Sequence, residues 1–226
     1  MLTGFTHIEN IMHKFAAASE TELIVFGTAR PGYRDAEIAE WIEFMQGHNI
    51  KQVCCLLTES QLIRYSDLLG TYRKIFGCKR VCWAPIADFE LAKRDVLVDR
   101  ILPFLASANS QDERVIVHCS GGIGRTGQVL AAWLVSGRGL SHKQAIAAVK
   151  KTGINPYEAV AAALFKGRNP WQVAQELNAL LDDCRLARRN DIWFFLTYYA
   201  KSIAKAVKSI EQICQNVNQV LVRLDI

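Results

Sequence analysis

Residues 115–127 read Val-Ile-Val-His-Cys-Ser-Gly-Gly-Ile-Gly-Arg-Thr-Gly. The β-branched run at 115–117 is typical of a buried strand, and an apolar helical pattern begins near Arg125. A glycine-rich loop between a strand and a helix favours anions, because its N–H groups converge and the helix dipole adds about half a positive charge there. Cys119 ends the strand, where the amides, the dipole and Arg125 all favour the nucleophilic thiolate. The stretch therefore predicts an anion cradle that holds a nucleophilic cysteine.

Two other interpretations of this stretch stay open from the residues alone. Residues 122–127 match the G-x-G-x-x-G pattern of dinucleotide-binding loops, and Cys119 can instead be a structural residue in a tight turn. A dinucleotide site needs an acidic residue about 20 positions further on to bind the ribose. Residues 114–157 contain no Asp or Glu. Their charged side chains are all basic, which favours a dianionic ligand: Arg114, Arg125, Arg138, Lys143, Lys150 and Lys151.

The rest of the chain alternates strand and helix patterns up to residue 120. Short apolar runs predict strands at 23–26, 53–57, 81–83 and 115–117, and helical spacing predicts helices at 38–45, 62–75 and 96–105. After Ser120 only helical patterns follow. This order predicts an α/β fold with a mostly parallel central sheet flanked by helices, and an α-helical C-terminal extension.

Length and composition fit a globular protein with one domain and an appendage. The chain has 226 residues, of which 50% are hydrophobic, and a formal net charge of +5. This small positive charge does not argue for nucleic acid, so we expect no nucleic-acid partner. No apolar run is long enough for a spanning helix, and residues 1–14 lack the pattern of a signal peptide. Seven cysteines without a CxxC pair suggest reduced thiols and a cytoplasmic location.

The C-terminal segment has the most regular helical pattern. Apolar residues alternate three and four apart over residues 191–224 and predict one long helix. Such a helix is expected to pack on residues 170–189, to pair two subunits as a homodimer, or to lie on a membrane surface beside its basic residues. We expect a catalytic domain over 1–168 and a helical extension over 169–226.

The motif His118-Cys119-x5-Arg125-Thr126-Gly127 resembles the signature of the cysteine-dependent protein tyrosine phosphatases, and residues 20–165 resemble a small dual-specificity phosphatase. The resemblance implies that Cys119 attacks phosphorus, that Arg125 binds two phosphate oxygens, and that Thr126 donates its hydroxyl to the sulfur. It implies a supporting role for His118, and no metal or cofactor. The backbone amides expected to bind phosphate belong to Ser120, Gly121, Gly122, Ile123 and Gly124.

The family also keeps an aspartate, the general acid, on a loop about 30 residues before the cysteine. Asp88 precedes Cys119 by 31 positions and follows a predicted strand, so it is the expected acid. Many relatives have proline before this aspartate, where this chain has Ala87. Glu90 and Asp95 are the alternatives for the acid role, although Asp95 falls in a helical pattern that fits a solvated face.

Arg30 and Tyr33 follow the first strand and are expected near the same sheet edge, where they can contact substrate or belong to an exposed loop. The resemblance thus implies a phosphatase of phosphoproteins, directed at phosphotyrosine and also at phosphoserine or phosphothreonine. A phosphatase of phosphoinositides or inositol phosphates is the alternative enzyme. A phospho-binding or scaffold module built on the C-terminal helix is the alternative of another class.

Overall fold

The structure is a computed structural model that describes residues 14–185. Its strands are β1 (Ala16–Ala17), β2 (Val25–Ala29), β3 (Ile50–Cys55), β4 (Val81–Trp83) and β5 (Arg114–Cys119). They form one sheet in the order β1-β2-β5-β3-β4, in which β1 is antiparallel to β2 and all other neighbours are parallel. The predicted mostly parallel sheet is therefore confirmed.

Helices cover both faces of this sheet. They are α1 (Asp35–Gly47), α2 (Glu59–Leu62), α3 (Leu68–Phe76), α4 (Leu102–Ser110), α5 (Gly124–Arg138), α6 (His142–Lys151) and α7 (Glu158–Ala163). Residues 170–185, the last described, form α8. A π-helical turn at Val96–Ile101 leads into α4, and 3₁₀ turns lie at Cys78–Arg80 and Leu164–Lys166. No helix within residues 14–185 is both long and apolar enough to cross a membrane.

The central strand β5 divides the core into two clusters. Its residues alternate, as strand side chains must, so that Val115, Val117 and Cys119 join the cluster under α4, α5 and α8. Ile116 points to the opposite cluster, which contains residues of α1 and α3. Because β5 lies in the middle of a parallel sheet, its carboxyl end opens at the edge where α/β proteins usually bind ligands.

Several elements of the structure differ from the prediction. The first strand begins at Val25 rather than at 23, because the Glu22 carboxylate accepts the backbone N–H groups of Ile24 (3.0 Å) and Val25 (3.3 Å). The single helix expected at 62–75 is two helices, since Asp67 starts α3 by accepting the Gly70 N–H at 2.8 Å. The edge strand β1 was not predicted, because a pair of alanines carries no strand pattern.

The compact unit also extends past the predicted boundary at 168. Helix α8 buries an apolar face in the same core as the sheet, through Leu177, Leu180, Leu181 and Cys184. Among the described residues the compact unit runs to Arg185, and the boundary at 168 stays a prediction. The predicted helix over 191–224, with its homodimer and membrane-surface alternatives, lies outside the described residues.

Candidate active site

The glycine-rich loop lies at the carboxyl end of β5, between Cys119 and the first residue of α5. The loop packs tightly on the end of β2. Gly122 has φ +69°, and a Cβ there would lie 2.5 Å from the Ala29 backbone nitrogen, so only glycine fits. The Arg30 N–H donates to the Cys119 carbonyl at 3.0 Å, which fixes the loop to β2 on its other side.

Cys119 is buried at the start of this loop, with 2% of its surface exposed. The Thr126 hydroxyl, on the first turn of α5, donates to the Cys119 sulfur at 3.2 Å. The start of α5 also brings the positive end of its dipole to the sulfur. This geometry suits a sulfur that carries negative charge both before attack and after departure.

Arg125 is a buried cation at the centre of the site, with a side-chain exposure of 2%. Its Nη1 donates to the Ile86 carbonyl (2.9 Å) and to Gln61 Oε1 (3.1 Å). Its Nη2 donates to Ser120 Oγ (3.0 Å) and lies 2.8 Å from Asp88 Oδ1. Its buried Nε has no hydrogen-bond partner within residues 14–185. A rigidly held guanidinium with an unsatisfied donor is suited to binding an oxyanion.

The loop after β4 brings Asp88 to this cation. The contact between Asp88 and Arg125 joins the expected acid to the loop that carries Cys119. Lys166 Nζ donates to the Asp88 carbonyl at 3.1 Å and so holds the acid loop from outside. Glu90, one of the alternative acids, pairs instead with Lys166 (2.7 Å) and Arg168 (3.2 Å). Asp95, the other alternative, lies at the start of the π-helical turn.

One amide of the loop differs from the prediction. The Gly124 N–H donates to Glu158 Oε2 at 2.9 Å, because Gly124 is the first residue of α5 and the carboxylate satisfies a helix-start donor. The amides of residues 120–123 donate to no acceptor within residues 14–185. Four of the five predicted phosphate-binding amides are thus unpaired in that part of the chain, and the fifth is bonded to Glu158.

His118 lies behind the loop, fully buried between the rings of Trp41 and Tyr72. Burial lowers the pKa of His118 to about 3, so the imidazole is neutral at physiological pH. Neither ring nitrogen makes a hydrogen bond of normal geometry within the described residues, although the Cys119 backbone opposes the fall in pKa.

The segment after β2 places the Arg30 backbone beside the loop, and the Tyr33 ring packs on the Arg30 side chain. Arg30 Nη1 donates to the Pro31 carbonyl (2.8 Å) and to the Tyr65 hydroxyl (3.0 Å), so its side chain shapes the segment itself. The Tyr33 ring lies between two guanidinium groups, 3.7 Å from Arg30 Cζ and 4.0 Å from Arg64 Cζ.

Gln61 and Glu158 also contact the site, and the sequence analysis did not identify either. Gln61 stands three residues after Thr58 in a capping-box pattern, which indicates a helix start and carries no sign of a site. Glu158 is the first carboxylate after residues 114–157, which contain no Asp or Glu. This position in the sequence was the signal that could have identified Glu158 as a site residue.

Besides Cys119, the described chain contains five free cysteines, which are Cys54, Cys55, Cys78, Cys82 and Cys184. Burial raises the pKa of the Cys55 thiol to about 12, so this thiol serves as a small apolar residue of the core. Within residues 14–185, His, Cys, Asp and Glu side chains form no group of three or more that could hold a metal ion.

Comparisons with known proteins agree with this geometry. The family model described as "Polymorphic toxin system, DSP-PTPase phosphatase" matches residues 26–138, half of the chain. The crystal structure of Tk-PTP in the active form is 26% identical, with a TM-score of 0.53, and the match covers 70% of this chain and 93% of that one.

Two further structures share the fold. PTPMT1 is 16% identical with a TM-score of 0.56, and the match covers 78% of this chain and 99% of that one. The kinase associated phosphatase KAP is 19% identical with a TM-score of 0.52, over 74% of this chain and 89% of that one. This chain belongs to the DSP-PTPase phosphatase family of polymorphic toxin systems, and it is a cysteine-based protein-tyrosine/dual-specificity phosphatase.

Proposed function

We propose that the protein hydrolyses phosphomonoesters on phosphoproteins, with phosphotyrosine as the main substrate and phosphoserine and phosphothreonine as further ones. The observation that carries the proposal is the 2.8 Å contact between Asp88 and Arg125, which brings a carboxyl group to the loop that holds Cys119. A nucleophile, an anion-binding cation and a proton donor are then within one site, as phosphoester hydrolysis needs.

In the first step the Cys119 thiolate attacks phosphorus. A sulfur–phosphorus bond forms while the bond from phosphorus to the ester oxygen breaks, and Asp88 gives its proton to that oxygen. Without the proton an alkoxide is a poor leaving group. Arg125 and the amides of residues 120–123 hold the equatorial oxygens, where negative charge must be stabilised in the transition state.

In the second step water attacks the phosphocysteine. The Asp88 carboxylate accepts a proton from that water, the sulfur–phosphorus bond breaks, and inorganic phosphate leaves. The Thr126 hydroxyl, 3.2 Å from the sulfur, stabilises the departing thiolate. His118, neutral because burial lowers its pKa, supports the loop and transfers no proton.

Arg30 and Tyr33 complete the proposed site as contacts for the substrate chain beside the phosphorylated residue. The Tyr33 ring offers an aromatic surface held between two cations. The absence of a CxxC pair and the free cysteines of residues 14–185 support action in a reducing, cytoplasmic environment. Pairing of two subunits through residues 191–224 stays a prediction.

The substrate class is tested by comparing phosphotyrosine and phosphothreonine peptides with phosphatidylinositol phosphate vesicles on one preparation. One solved structure of PTPMT1 is a complex with PI(5)P, which makes the lipid the natural competitor. Residues 120–124 contain no lysine to bind a second phosphate of such a lipid. We expect kcat/KM to be highest for the phosphotyrosine peptide; a preference for the lipid would replace the proposal, and binding without turnover would favour a phospho-binding module.

Asp88→Asn is expected to lower kcat selectively for poor leaving groups. Phenyl phosphate needs a proton on its departing oxygen and should slow by about 10²-fold to 10³-fold, whereas a nitrophenyl ester should change much less. Steady-state kinetics on both esters measure the difference, and Asp95→Asn is the matched control, expected to leave both rates unchanged. Equal slowing of the two esters would move the acid role away from Asp88, with Glu158 as the other carboxylate at the loop.

A further inference from the structure

Gln61 connects the two loops that carry the proposed chemistry. It lies in the short helix α2, and its amide makes four contacts. Oε1 accepts from Arg125 Nη1 (3.1 Å) and from the Thr58 N–H (3.1 Å). Nε2 donates to Ser120 Oγ (3.0 Å) and approaches Asp88 Oδ2 (3.4 Å). One side chain thereby contacts the nucleophile's loop, the buried cation and the acid loop.

The chemistry of these neighbours fixes the orientation of the amide. A guanidinium and a backbone N–H can only donate, so they require the oxygen of Gln61. A carboxylate can only accept, so it requires the nitrogen. A flipped amide would oppose donor to donor and acceptor to acceptor. The site therefore needs both ends of an amide at this position, and neither a carboxylate nor an apolar group satisfies all four neighbours.

The four contacts also tie the positions of Arg125 and Asp88 to one another. Arg125 Nη1 has two acceptors, Gln61 and the Ile86 carbonyl of the acid loop. Asp88 contacts the same guanidinium through Oδ1 and Gln61 through Oδ2. Losing the amide removes one anchor from the cation and one from the acid. An error of about 1 Å in such placement is enough to lower rates about 100-fold.

We propose that Gln61 is a positioning residue of the phosphatase reaction, which orients Arg125 toward phosphate and holds Asp88 beside the leaving oxygen. The inference rests on the roles proposed above for Arg125 and Asp88. Gln61 lies outside the His118–Gly127 motif. Its proposed function is to hold the loop that carries Cys119 and the loop that carries Asp88 in a fixed position relative to each other.

A simpler role for Gln61 is to cap α2. Thr58 and Gln61 form a reciprocal capping box, in which the Gln61 oxygen accepts the Thr58 N–H. Glutamate serves equally well at this position of a capping box. The variant Gln61→Glu therefore keeps the cap and the size of the side chain, but replaces the donor that faces Asp88 and Ser120 by a negative oxygen. A cap role alone predicts an unchanged enzyme.

The test uses the full-length protein with Gln61→Glu, Gln61→Met and the control Gln46→Glu. Gln46 is exposed on α1, so the control adds the same charge outside the site. Three measurements are made on each protein: kcat and KM against pH, the inhibition constant of inorganic phosphate, and the melting temperature. Phosphate inhibition reports on Arg125 without any need for proton transfer.

Gln61→Glu is expected to lower kcat/KM by about 10-fold to 100-fold. Its alkaline limb of kcat against pH should move up by about one unit, because a second carboxylate disfavours ionisation of Asp88. Gln61→Met adds no charge, so it should lose comparable activity and weaken phosphate inhibition while its alkaline limb stays in place. Gln46→Glu should match the parent.

Parental kcat/KM and pH profile in Gln61→Glu would overturn the proposal, as would an equal loss in Gln46→Glu. Activity loss in Gln61→Glu without a shifted limb would also overturn it, because the contact with Asp88 would then have no consequence. If either Gln61→Glu or Gln61→Met fails to melt cooperatively, the measurements on the other variant test the proposal. If Asp88 is not the acid, the Asp88→Asn variant will slow the two aryl esters equally. Phosphate inhibition of Gln61→Met tests the contact with Arg125 whichever residue is the acid.

Discussion

Cys119→Ser is expected to abolish turnover, with kcat/KM lower by about 10⁴-fold or more. A serine hydroxyl at this position is a far weaker nucleophile than a thiolate, because the loop amides and the Thr126 hydroxyl stabilise a negative sulfur but cannot ionise an alcohol. The anion-binding groups remain, so inorganic phosphate should still raise the melting temperature of the variant. Aryl phosphate turnover measures the loss of catalysis, and thermal melting with and without phosphate measures the anion binding that remains.

Cys78→Ser is the matched control for this experiment. It makes the same atomic change at an exposed cysteine in the 3₁₀ turn before β4, and it should leave turnover unchanged. Residual turnover of Cys119→Ser within about tenfold of the parent would mean that no sulfur–phosphorus bond forms, since a true nucleophile carries most of the rate enhancement.

The sequence alone was sufficient to predict those elements that are formed by residues close together in the chain. Residues 115–127 hold the strand, the loop and the helix start together, and an apolar run such as Val115–Cys119 is typical of a strand covered on both faces. The candidate acid Asp88 came from the family resemblance, and the parallel strands explain its place, because the carboxyl ends of β4 and β5 lie at one edge of the sheet.

What the sequence did not reveal depends on contacts between distant segments. Gln61 looks like an ordinary helix cap until the fold brings Arg125, 64 residues away, within 3.1 Å of it. Glu158 lies 34 residues beyond Gly124, and only the packing of α7 against α5 makes it a partner of that amide. The packing of α8 could not be predicted for a similar reason, since its burial depends on a core formed by earlier residues.

Arg125→Lys is the second large effect that we expect, with kcat/KM lower by about 10³-fold. The substitution keeps the positive charge, so it isolates the contribution of the guanidinium's shape. In the structure Arg125 uses Nη1 and Nη2 on Ile86, Gln61, Ser120 and Asp88, and its Nε remains unpaired within the described residues. An ammonium group has a single nitrogen, which cannot keep the Nη1 contacts and also present two parallel donors to phosphate, as Nε and Nη2 can once phosphate replaces a partner of Nη2.

The control for Arg125→Lys is Arg80→Lys, which makes the same change in an ion pair with Glu113, at the amino ends of β4 and β5 and so at the sheet edge opposite to the loop. It should leave kcat/KM unchanged and alter the free energy of unfolding by less than about 1 kcal/mol. If Arg125→Lys kept most of the parental kcat/KM, a point charge would be sufficient and two-point binding of phosphate would be wrong. If KM rose alone while kcat stayed, the guanidinium would bind substrate and transition state equally. We expect instead that kcat falls with kcat/KM, because the equatorial oxygens gain their shortest contacts with Arg125 only as the bond to sulfur forms.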